Sequence, residues 1–353
     1  MVKVLIVDDS PVAQKYLEFL LGTDENIQII GIVNNGEEAC EFVARQRPDV
    51  ITMDIEMPKM NGYEATRRIM ETYPVPIIIV TASWNPSDVE KTFKAMEAGA
   101  VAVLAKPPGP GDPNIDQRIR ELIQTIKLMA EVPVVKRWAK KIPDVASLIH
   151  SLTTPVIAPG RLIQMVAIGT STGGPPALYA LLSKLPKNFP VPILIVQHIA
   201  SGFIKGMADW LEKTIALSVR IPVNGERPLP GYVYLAPDAY HMEISRDGTI
   251  CLIDAPPDNG LRPSVAHLFS SVAEQLGDQA IGVLLTGMGR DGALELKQMK
   301  DRGAITIAQD QKSSVVHGMP GEAIKLGAAV YIQSPDEIAN SLIKLVCKQP
   351  ASK

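Results

Sequence analysis

Ser171 stands in a setting that suits a nucleophile. An apolar run from Met165 stops at Gly169, Thr170 and Thr172 flank the serine, and Gly173 and Gly174 follow. Pro175 and Pro176 then open the run Ala177–Leu182, as prolines do in a first helical turn. A tight strand-to-helix turn of this kind leaves the hydroxyl open and aims helix-start amides at developing negative charge. A glycine-rich turn that binds phosphate, or a serine that only caps a helix, has the same local pattern. A nucleophilic serine needs a base, and the base needs an orienter. The histidines are His150, His198, His241, His267 and His317. His198 directly follows the apolar strand Pro192–Val196 and one glutamine, so it belongs on the same rim as Ser171. His317 is the rival; His150 falls in a proline-broken stretch, and His267 in the amphipathic run Ser264–Leu276. For the orienter, Asp291 follows the apolar run Ile281–Leu285 and a glycine-rich turn, just before a helix at Ala293–Lys300. An aspartate there also reads as a helix N-cap.

A second set of polar residues lies in the first third of the chain. Asp8 and Asp9 follow one apolar run, Asp54 another, Thr81 a third and Lys106 a fourth. In a parallel sheet those positions converge on one rim. Three converging carboxylates repel one another and call for a divalent cation; all-oxygen ligands favour magnesium. A lysine and a hydroxyl on the same rim suit a phosphoryl group.

The elements that must position these residues form two α/β patterns in tandem. The first has strands at Val4–Val7, Ile27–Val33, Val50–Met53, Ile77–Val80 and Val101–Leu104. Helical spacing separates and closes them at Val12–Leu21, Glu37–Arg45, Tyr63–Tyr73, Asp88–Ala98 and Ile115–Ala130. The alternation predicts a flavodoxin-like, doubly wound, five-stranded parallel sheet. The second pattern has strands at Gln164–Ile168, Ile193–Val196, Tyr232–Leu235, Ile281–Leu285 and Ala304–Ala308, and a hairpin over Tyr240–Asp254. It predicts a mainly parallel α/β domain. Prolines at 133, 143, 155 and 159 break the pattern in between. The boundaries read as a domain over 1–130, a linker over 131–160 and a second domain over 161–348.

Composition narrows the class. The 353 residues are 46% hydrophobic and 21% charged, with a net charge of −3. That is a globular composition with no electrostatic reason to expect nucleic acid. Cys40, Cys251 and Cys347 are scattered, without disulfide or zinc spacing. No signal-peptide pattern opens the chain and no apolar run approaches bilayer length, so the cytoplasm, without membrane insertion, is expected.

Val7–Ser10, Met53–Pro58 with Asn61 and Gly62, Thr81 with Ala82, and Lys106 with Pro107 resemble the receiver domain of bacterial two-component response regulators. The resemblance implies that Asp54 takes a phosphoryl group from a histidine kinase. Asp8, Asp9 and Asp54 would hold Mg2+ with the backbone carbonyl of Glu56; Lys106 would contact the phosphoryl group, and Thr81 would move toward it. An aromatic residue often stands three positions before this lysine in receivers; here it is Val103, so an aromatic-rotamer switch is excluded.

Ile168–Gly174, Gln197 with His198, Leu235–Pro237 with His241, Arg262–Ser264, Leu285–Gly289 with Asp291 and Gly292, and Gly318–Pro320 are similar to the protein-glutamate methylesterase domain of bacterial chemotaxis. This resemblance implies that Ser171 attacks glutamyl γ-methyl esters on methylated chemoreceptors, without a cofactor. His198 would be the base, Asp291 its orienter and Thr172 a support. Backbone N–H groups near His198 and Met288 would form the oxyanion hole. The family often also deamidates receptor glutamines, serving adaptation in chemotaxis. The unphosphorylated receiver would cover the entrance to Ser171. Ala266, Glu295 and His317 stand where the family often has other residues. They leave open a homologue in a different chemosensory pathway that acts mainly as a scaffold. A transcriptional regulator would need a basic helix-turn-helix, against the α/β pattern of the second half.

Overall fold

The computed structural model describes residues 1–81, 92–96, 98–109, 111–112, 115–132, 134 and 162–347. The chain divides into two compact units, Met1–Pro143 and Asp144–Lys353. Most of the expected linker, His150 and the start of the expected helix Asp88–Ala98 lie outside the described residues; within that helix, 92–96 are helical.

In the first unit β1 (Val2–Val7), β2 (Ile27–Val33), β3 (Val50–Met53), β4 (Ile77–Thr81) and β5 (Ala102–Ala105) form one sheet in the order β2-β1-β3-β4-β5. Every pairing is parallel. The strands are almost continuously apolar because a doubly wound sheet is covered on both faces, and Val4–Val7, Val50–Met53 and Ile77–Thr81 are accordingly buried. Helices at Pro11–Leu21, Gly36–Arg45 and Gly62–Thr72 begin at Ser10, Asn35 and Asn61, whose side chains accept an N–H of the first turn. The last helix is Ile115–Ala130.

The second unit holds β6 (Met165–Thr170), β7 (Ile193–Gln197), β8 (Ser218–Arg220), β9 (Tyr232–Leu235), β12 (Ala280–Leu284), β13 (Ile305–Gln309) and β14 (Tyr331–Gln333) in the order β14-β13-β12-β6-β7-β9-β8. All of these pairings are parallel. The expected hairpin is the antiparallel pair β10 (His241–Ile244) and β11 (Ile250–Ile253). It packs on the helix Val265–Gln275 through Met242, Ile244, Ile250, Leu268 and Phe269, which join the core of this unit.

Both sheets change direction beside one strand. The chain leaves β1 for β2 on one side and returns to β3 on the other; it leaves β6 for β7 and returns to β12. A crevice opens outside the carboxyl ends of the strands at such a switch point. Among the described residues, no helix is long and apolar enough to cross a membrane.

Candidate functional site

Three neighbouring strands carry the three residues singled out in the second unit. Ser171 is the first residue after β6, His198 the first after β7, and Asp291 lies in the turn after β12. Because β6 lies between β12 and β7, the serine stands centrally, with the acid and the imidazole on either side. Each turn is built alike. The helices Gly174–Leu182, Phe203–Thr214 and Ala293–Asp301 start after Gly173, Gly202 and Gly292, whose φ angles are 77°, 90° and 77°. Only glycine takes this conformation at low cost, and none of the three helices has a side-chain cap. The N-cap reading of Asp291 therefore does not apply to its own helix.

Asp291 is held from elsewhere. It accepts from the Ser264 hydroxyl at 2.9 Å, from Val265 N at 2.7 Å and from Ala266 N at 3.1 Å, which are the first amides of the helix Val265–Gln275. Its Oδ2 lies 2.9 Å from His198 Nε2, off the direction of a straight hydrogen bond. Burial pushes this carboxyl up, but His198 and the amide and hydroxyl donors outweigh it, and the net shift is downward. Ser264 was part of the motif read from the sequence; its role toward Asp291 was not.

The serine turn is fixed by its backbone. Ser171 N donates to Thr286 O at 3.0 Å, and the Thr286 hydroxyl donates to Thr172 O at 2.9 Å. Among the described residues the Ser171 hydroxyl makes no hydrogen bond, so the structure brings the serine and histidine turns together without closing a bond between the side chains. His198 N donates to Thr170 O at 2.9 Å, which commits that amide. Met288 lies half-buried in the turn before Asp291, and among the described residues its N–H is given to no backbone carbonyl. The rival His317 bonds Ser314 Oγ at 3.2 Å and packs beside Gly321. His267 is more than a plain surface residue: it pairs with Glu243 at 2.6 Å and stacks on the buried His241 at 3.8 Å.

The first unit gathers polar residues at the carboxyl ends of its strands. Asp8, Asp9 and Asp54 each offer a ligand atom within 4.8 Å of the others. Lys106 Nζ sits 2.6 Å from Asp8 and 2.9 Å from Asp54. Burial raises the Asp54 carboxyl against the pull of Lys106. The lysine is raised too: burial works the other way but is outweighed by Asp8 and Asp54. Thr81 ends β4 buried, with its carbonyl accepting from Lys106 N at 2.9 Å, and Glu56 is exposed in the turn after Asp54. Val103 is half-buried against the core of the unit.

These two sites lie at the strand ends of two doubly wound parallel sheets in one chain, the architecture of a receiver domain followed by a second α/β domain. The response regulator receiver domain matches residues 4–120 and the CheB methylesterase matches residues 166–342. A protein-glutamate methylesterase/protein-glutamine glutaminase of Geobacter metallireducens is 53% identical over 350 residues, covering 99% of this chain and 100% of that protein. The one from Nitrosospira multiformis is 50% identical, covering 100% of this chain and 99% of that protein. The solved CheB methylesterase catalytic domain of Thermotoga maritima is 39% identical with a TM-score of 0.51, and covers 52% of this chain and 99% of its own. The chain belongs to the protein-glutamate methylesterase/protein-glutamine glutaminase family, in its form with a receiver domain.

Proposed function

We propose that the chain hydrolyses glutamyl γ-methyl esters on chemoreceptors under control of phosphorylation at Asp54. The observation that carries this reading is the adjacency of three strand ends that sets Ser171 between His198 and Asp291. In the first step Ser171 Oγ bonds to the ester carbonyl carbon while His198 takes its proton. With Nε2 facing Asp291, Nδ1 is the nitrogen left for that proton. Asp291, kept ionised by its donors, stabilises the imidazolium. The carbonyl oxygen becomes an oxyanion beside Met288 N–H, and Thr172 supports the turn. Collapse breaks the bond to methoxide, which leaves as methanol with the proton from His198. Water then attacks the acyl-serine by the same base, and the glutamate carboxylate is released. Attack on a glutamine side chain differs only in that ammonia leaves, which fits the glutaminase activity in the names of the relatives.

In the receiver, an Asp54 oxygen attacks the phosphorus of a kinase phosphohistidine; the P–N bond breaks as the P–O bond forms. Lys106, 2.9 Å from Asp54, would pair with the transferred group. The clustered carboxylates fit a hard divalent cation, and Asp8, Asp9 and Asp54 would hold Mg2+ with the Glu56 carbonyl. When bound, the ion neutralises charge between the carboxylate and the phosphoryl oxygens. The phosphoryl group then biases Thr81 without an aromatic at Val103. We assign residues 1–130 to the receiver, 131–160 to a linker and 161–348 to the esterase, working in the cytoplasm with a chemotaxis histidine kinase as phosphodonor. Methanol release from a methylated receptor fragment, with and without a small phosphodonor, tests the reading; absence of release under both conditions overturns it.

A further inference from the structure

Gln197 is the last residue of β7 and is 2% exposed. In the parallel register it stands beside Thr170, so its side chain reaches across the rim to the serine turn. Both protons of its amide are used there. Nε2 donates to Ser171 O at 2.8 Å and to His198 O at 2.7 Å. The reversed amide would set Oε1 against two carbonyl oxygens, which fixes the orientation. Oε1 itself is buried without a donor. It lies over Gly174, where an added Cβ would stand 2.1 Å from Oε1 and 2.5 Å from Thr170 Oγ1.

A buried amide kept for stability alone would have both ends satisfied. Here the acceptor end is left unmet, and the donor end joins the peptide oxygens of two particular residues. The same two turns are already linked by the bond from His198 N to Thr170 O. A single bond is a pivot about which the turns can rock. Two further bonds from one rigid amide plane remove that freedom.

We propose that Gln197 is a positioning residue for ester hydrolysis, fixing the separation and mutual tilt of Ser171 and His198. Gly174 is a glycine because this amide lies across it. The proposal rests on the assignment of Ser171 as nucleophile and His198 as base. Gln197 touches neither the substrate nor the reacting atoms.

The test uses the full-length protein with a small phosphodonor and a methylated receptor fragment. It measures kcat and KM by methanol release, the rate at which a fluorophosphonate labels Ser171, and the melting temperature. Gln197→Met keeps the volume and removes the donors. Its kcat should fall about 10²-fold, as for a catalytic pair misplaced by about 1 Å, with KM within about twofold of the parent. Labelling of Ser171 should slow in parallel, a change that a purely structural role would not produce in folded protein. If Gln197→Met does not fold, Gln197→Glu keeps the shape while turning an oxygen toward one of the carbonyls, and the same losses are expected. Parental kcat in either folded variant, beside an inactive Ser171→Ala, overturns the proposal alone. Activity in Ser171→Ala overturns the nucleophile assignment and the proposal with it.

Discussion

Asp54 and Asp291 are two carboxylates at strand ends, equally buried, with side chains 9% exposed in each case. Their acidities move in opposite directions. Asp54 is raised, chiefly by burial and also by the neighbouring Asp8, against the pull of Lys106 and Ile55 N. Asp291 suffers the same burial but collects His198, Ser264 Oγ, Val265 N and Ala266 N, and is lowered. Burial therefore does not decide the sign; the neighbours do, Asp8 repelling Asp54 while Asp291 gathers donors. The contrast matches the two proposed tasks. A carboxylate that must attack phosphorus gains from incomplete solvation, whereas one that must stay charged beside an imidazolium needs every lone pair met.

The comparison can be broken first at the esterase rim. Ser171→Ala should lower ester hydrolysis about a millionfold, His198→Ala nearly as much, and Asp291→Asn about 10⁴-fold, read as methanol release. A dead His317→Ala beside an active His198→Ala would reverse the choice of base. At the receiver rim, Asp54→Asn should abolish incorporation of one base-labile phosphoryl group. It should also remove the stimulation of hydrolysis, about 5–150-fold for a coupling of about 1–3 kcal/mol. A phosphate stable to hydroxylamine in that variant would contradict the assignment.

A subtler test uses stability in metal-free buffer. The folded Asp54 carboxyl is raised above its unfolded value, so stability falls as pH climbs from about 3.9 through the raised value. Asp54→Asn should therefore raise the melting temperature of the receiver at neutral pH. Asp291 is depressed, so its contribution is present above about pH 3.9 and is lost as pH falls through the folded value. Asp291→Asn should cost the esterase unit about 2 kcal/mol at neutral pH, the scale of a hydrogen bond to a charged group. Shifts of the same sign in both units would end the contrast. The smallest effect concerns His241, lowered by burial, with Nε2 at 3.1 Å from Pro256 O and Nδ1 accepting from Ser264 N at 3.2 Å. Its neutral ring favours the fold above about pH 6.5, and stability drains away below that. His241→Gln should flatten the slope of unfolding free energy between about pH 6.5 and 5.

Much of this was legible in the sequence because buried parallel strands announce themselves. Val4–Val7, Val50–Met53 and Ile193–Val196 are short apolar runs bounded by turn residues, and each is a strand. β8 and β14 were missed, since three residues at a sheet edge carry no period. Ser171, His198 and Asp291 could be placed on strand ends, but a linear pattern does not say that β12 inserts between β13 and β6. Nor could it show that Gln197 spends both protons on the two turns, or that Ser264 supports Asp291. Those ties depend on which loops the sheet order brings together. Gly62 marks the same limit in the receiver. An added Cβ would stand 2.0 Å from Asp54 O, a backbone clash that nothing in the local sequence reveals.

The placement of β12 also sets a schedule. Val283 pairs with Ile168, so the serine's strand finds one of its two neighbours only after more than a hundred further residues have been made. The receiver sheet, by contrast, draws on strands that end at Ala105. At about 5–20 residues per second, a growing chain would complete the receiver roughly 10 to 40 s before the last helix of the esterase emerges. A half-made chain can then hold a folded phosphoryl acceptor while the strand ends of the proposed esterase site are not yet assembled. An interrupted translation product would compete for the kinase's phosphoryl groups without removing a single methyl group.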